Sequence, residues 1–114
     1  MKKLFILFFA TLFLAACGDS AESNLTMDSF TQAFEAEGIT VDSAEKPMFE
    51  MINAKDGVIF YNEQNPVKIY QFESSKELDA AKEANAFMKE WPTNGNFAIE
   101  TSDEKAIEIF NGVK

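Results

Sequence analysis

One cysteine, no histidine and no arginine set tight limits on the chemistry open to this chain. Zinc sites draw on cysteine, histidine and carboxylates, and here Cys17 is alone with no histidine to join it. No metal centre and no cofactor are expected. A nucleophilic hydroxyl needs a base beside it, and without histidine only lysine or a carboxylate could serve. Ser74, Ser75 and Lys76 are adjacent, but Ser74 followed by Glu77 reads as a helix cap. Neither a Gly-x-Ser-x-Gly elbow nor a glycine-rich phosphate loop is present.

Carboxylates are abundant, and in pairs they can cleave glycosidic bonds. Glu35 with Glu37, and Glu104 with Glu108, instead read as solvated faces of helices. Asn53-Ala54-Lys55-Asp56-Gly57 has the glycine and two oxygen ligands of a calcium loop, then fails at each further ligand position. A turn accounts for it. The residues therefore predict a protein that is not an enzyme.

A sharper feature is aromatic. Two segments, Gly57–Asn62 and Pro66–Glu73, are rich in β-branched and aromatic residues and flank a turn-forming stretch. As a hairpin they pair Tyr61 with Pro66 and Phe60 with Val67. One face then carries Val58, Phe60, Val67 and Ile69, the other Ile59, Tyr61, Lys68, Tyr70 and Phe72. Neither face is polar, which is unusual for a sheet with one solvated side. Ile59, Tyr61, Tyr70, Phe72 and a nearby Trp91 are either core beneath a second helix layer or a partly open binding face. Tyrosines with wet tips would suit a protein, peptide or glycan.

The elements that must position this hairpin are mostly helices. Thr26 caps a helix that buries Phe30, Ala33 and Phe34 and stops at Gly38. Pro47 suits the first turn of a short helix, and Met48, Phe49, Met51 and Ile52 after it fit a buried helix or a strand about equally, with a short helix ending near Ala54 preferred. Ser74 opens a long helix to about Trp91, with Leu78, Ala81, Asn85 and Met88 along one stripe, before Pro92 and a turn over Thr93–Asn96. Phe97–Thr101 reads as a third strand, and Thr101 with Glu104 caps a last helix holding Ala106, Ile107 and Phe110. The expected fold is α+β: one domain over 25–114, in the order α-α-β-β-α-β-α, with helices packed on a three-stranded sheet that contains one hairpin.

Upstream of that domain, Lys2 and Lys3 precede an apolar run, Leu4 to Ala16, that ends at Cys17. At 1.5 Å per residue this run spans about 20 Å, short of the roughly 30 Å hydrocarbon core. It reads as an export signal and not as a membrane span. Leu14-Ala15-Ala16-Cys17 resembles the lipobox of bacterial lipoprotein precursors. That resemblance implies removal of 1–16 and attachment of lipid to the Cys17 sulfur, with 17–24 as lipidated residue and tether.

Removing 16 of 114 residues leaves 98, and it takes two lysines and no acid, so the net charge of −9 becomes −11. So acidic a body, without arginine, disfavours nucleic acid and cannot be held to anionic headgroups by a basic patch. The expected anchor is the lipid on Cys17, at the outer face of the cytoplasmic membrane or, in a two-membrane cell, the outer membrane. The expected partner is another envelope or extracellular protein. The alternative is an accessory that binds a small ligand, peptide or glycan for a transporter or signalling system.

Overall fold

The computed structural model describes residues 25–114. The expected signal peptide, the lipidated Cys17 and the tether lie outside the described residues.

Helix α1 (Met27–Ala36) begins where the cap predicts. Thr26 Oγ1 accepts from Ser29 N at 3.2 Å, and Ser29 Oγ accepts from Thr26 N at 3.1 Å. It ends as the glycine predicts: Gly38 takes φ +87, its N–H donates to Glu35 O, and Ile39 N donates to Phe34 O. This Schellman closure satisfies carbonyls that the helix end leaves open, and Ile39 turns into the core.

Strands β1 (Asp56–Asn62) and β2 (Asn65–Gln71) form the hairpin in the expected register, with Tyr61 opposite Pro66 and Phe60 opposite Val67. The loop is tighter than expected, since Asn62 pairs with Asn65 and only Glu63 and Gln64 remain to turn. Asp56 and Gly57 are strand residues, not the turn that their types suggest.

The expected three-stranded sheet is incorrect; the sheet has four antiparallel strands. Thr93–Asn94 forms a short strand, β3, which turns through Gly95 (φ +64) and Asn96 into β4 (Phe97–Glu100). The order across the sheet is β1-β2-β4-β3. Two residues after a proline show no alternation, and tertiary bonds hold them instead. Asn94 Nδ2 donates to Phe110 O at 3.0 Å and to Val113 O at 2.9 Å, fastening β3 to the end of the last helix, α3 (Glu104–Gly112). That helix is capped by Asp103, whose Oδ1 accepts from Lys105 N and Ala106 N. Thr101, the expected cap, donates to Pro66 O at 2.8 Å.

Helix α2 spans Ser75–Ala84 and is shorter than expected. Asn85 leaves the helix at φ −126, ψ 99, and its side-chain Nδ2 donates to Ala81 O at 3.0 Å, the carbonyl its own N–H also uses. A 3₁₀ turn, Ala86–Met88, follows. The break drives Met88 into the core and leaves Phe87 outside.

Helices cover both faces. On one, α1 and α3 bury Val58, Phe60, Val67 and Ile69 with Phe97 and Ile99. Phe30 stands at its centre, with ring centroids 4.5 Å from Phe97 and 5.0 Å from Phe110. Burial of each such side chain contributes about 1.5–3 kcal/mol. On the other face, α2 and the 3₁₀ turns cover Tyr70, Phe72 and Ala98 with Leu78, Ala81, Met88 and Ile52.

Candidate functional site

The second face is covered over only part of its length. Alternation along β1 and β2 puts Ile59, Tyr61, Lys68, Tyr70 and Phe72 on it. Helix α2 seals Phe72 and Ala98, while Ile59 and Lys68 stay half-exposed beyond its reach. A 3₁₀ turn, Phe49–Ile52, stands over this open end. Between the turn and the sheet lies a groove of about 380 Å³, walled by Met48, Met51, Phe87 and Trp91, with Ile59 and Tyr70 beneath.

Close packing positions the turn. A Cβ on Gly57 would stand 3.0 Å from Pro47 Cγ and 3.2 Å from Phe49 Cβ, so only glycine lets this segment lie against β1. Lys46 Nζ bonds Asp56 Oδ1 at 2.8 Å, and Glu45 O accepts from Ile59 N at 3.1 Å. The same segment thereby covers part of the β1 edge, which would otherwise invite strand addition.

The opposite wall is aromatic. Trp91 stacks on Tyr70, with centroids 5.4 Å apart and planes inclined by 9°. Phe87 meets Trp91 edge-on at 5.8 Å. Three polar groups meet at the groove floor. Tyr70 O–H donates to Glu100 Oε1 at 3.3 Å, and Lys68 Nζ lies 3.8 Å from the same oxygen. Burial above all, then the charge of Glu100 and its hydrogen bond, hold Tyr70 ionisation well above the ordinary tyrosine range. Tyr70 is thus a neutral donor.

The five residues singled out from sequence separate here. Ile59 and Trp91 are half-buried and line the groove; Tyr70 is buried at 5% exposure and lies beneath it. Tyr61 is 58% exposed and stands beside the groove on the same sheet face. Phe72 is wholly buried under α2 and does not line the groove, a correction to its place among the binding residues. Sequence reasoning missed Met48 and Met51, because four apolar residues in five positions suggest burial, yet the two are 77% and 72% exposed. It also missed Phe87, 63% exposed, because a continuous helix would have turned it inward.

Two Ser-x-x-Lys spacings occur in the chain, Ser43 to Lys46 and Ser102 to Lys105. Neither forms a nucleophile–base pair: Lys46 is bound to Asp56, and Lys105 faces Glu37 at 3.7 Å. Another depression, of about 750 Å³, lies between α1 and α3, but small and charged residues such as Ala33, Ala36 and Glu108 line it, without an aromatic wall. The chain matches no known family, no curated protein and no solved structure.

Proposed function

We propose that this protein is an exported, lipid-anchored, non-enzymatic binding module that presents the groove to a partner protein. The observation that carries the reading is the distribution of exposed apolar side chains. Met48, Met51, Tyr61 and Phe87 are the large hydrophobics left exposed among the described residues; three of them line the groove, and Tyr61 lies two residues beyond the groove residue Ile59 on the same strand face. Leaving them in water forgoes burial energy, which contact with a partner would recover. Flexible thioethers flanking rigid aromatics suit an interface that adapts to apolar side chains. The short, polar 18–24 segment and the lipobox-like leader support display close to a membrane, with Cys17 carrying the lipid.

The small-ligand reading has one observation in its favour, the convergence of Lys68, Glu100 and the Tyr70 hydroxyl on the groove floor. Affinity capture with the acylated protein distinguishes the two. A protein partner retained by the parent chain and by a Gln32→Ala control on α1, but lost with Phe87→Ser, supports docking at the groove. Equal recovery with all three chains argues against it.

A further inference from the structure

We propose that Met48 and Met51 form a binding site for a soft monovalent cation, Cu(I) or Ag(I), with the Trp91 indole closing the site. Thioether sulfur is a soft donor that selects Cu(I) over hard ions. The two methionines are three residues apart on one turn, closed by Met51 N donating to Met48 O at 3.4 Å. Met48 stands immediately before the 3₁₀ turn (φ −81, ψ 71) and Met51 is its third residue, so one turn carries both thioethers to the same groove. Both line the groove that Trp91 and Phe87 wall from across.

The surroundings favour a cation of low charge. An indole face attracts a cation through its quadrupole, more strongly than other aromatic rings. The groove lysines are already engaged, Lys46 by Asp56 and Lys68 by Glu100, so they do not leave a free positive charge facing the sulfurs. The acidic chain, at −9 overall, draws cations toward its surface. Hard divalent ions have no comparable site, because no group of three or more acidic, cysteine or histidine side chains is gathered among the described residues. Binding is ligand exchange with water and involves no redox step. It does not rest on protein docking, because thioether donors are selected by their own chemistry, although both would use the same groove.

The test uses the full chain in detergent micelles with Cys17→Ser, which removes the competing thiol, titrated with silver nitrate in chloride-free buffer. The expected result is a saturable shift of the Met48 and Met51 methyl resonances, with Met27 and Met88 unmoved as internal controls. Quenching of Trp91, the single tryptophan, should follow the same curve. Met48→Leu with Met51→Leu conserves volume and should retain the fold while weakening binding by about tenfold or more. Absence of the methyl shifts, equal shifts at Met27, or unchanged affinity in the double variant would each overturn the proposal. Calcium in place of silver should move none of these signals; equal shifts with calcium would likewise overturn it.

Discussion

Gly57→Ala tests the packing that builds the groove. Gly57 does not have a positive φ among the described backbone angles, so alanine can adopt its conformation. On backbone entropy alone the substitution would stabilise the fold by about 0.4–1 kcal/mol. Packing reverses the sign. The new methyl would meet Pro47 Cγ at 3.0 Å, Phe49 Cβ at 3.2 Å and Pro47 Cδ at 3.3 Å, against about 3.5–4.0 Å for carbon pairs at their optimum. Overpacking of this kind costs about 1–3 kcal/mol, so the net loss at the middle of the two ranges should be about 1.3 kcal/mol. Urea unfolding followed by Trp91 fluorescence should show a lower midpoint at unchanged slope, and the Met48 and Met51 methyl signals should move as their turn is pushed from β1. A midpoint equal to or above that of the parent chain, with both methyl signals in place, would refute the reasoning.

Three further outcomes follow from the same geometry. Phe30→Ala removes the ring between Phe97 and Phe110 and should cost about 3–5 kcal/mol, read as a large drop in urea midpoint. Glu63 holds φ +62 in the two-residue hairpin loop, where a side chain is strained, so Glu63→Gly should raise stability by up to about 1 kcal/mol in the same assay. Tyr70 favours its neutral form in the fold, while the unfolded chain ionises near pH 10. Its contribution is therefore complete below about pH 10 and lost as pH rises above it, by at most about 1.4 kcal/mol per pH unit, and Tyr70→Phe should remove that part of the alkaline slope.

The parts of the fold that sequence made legible are those set by local chemistry. Thr26 and Gly38 bracket α1 because a cap and a left-handed glycine act within one turn of the residues they end. The β1–β2 register follows from alternation, since slipping by one residue would expose Val58, Phe60, Val67 and Ile69. Strand β3 carries no such signal; it exists because β4 and Asn94 hold it. The end of α2 turns on one residue, Asn85, whose side chain and N–H both donate to Ala81 O, a local bond that apolar periodicity does not encode.

The site divides in the same way. Tyr61 and Tyr70 share a sheet face and a residue type, and their alternation is equally good. Their burial differs because cover from α2 and its 3₁₀ turn reaches Tyr70 but stops short of Tyr61, a matter of how long those elements run. Met48 and Met51 have the composition of core residues. What leaves them outside is the seating of Pro47 and Phe49 on Gly57, a contact between segments that periodicity does not encode.

Site-specific photocrosslinking in intact cells tests the central claim most directly. A photoreactive residue at Phe87 in the groove and another at Gln32 on α1 compare two exposed positions on opposite faces of the sheet. The account predicts a discrete protein adduct from Phe87 on a chain that begins at an acylated Cys17, and none from Gln32. Adducts from both positions alike, or from neither, would contradict it.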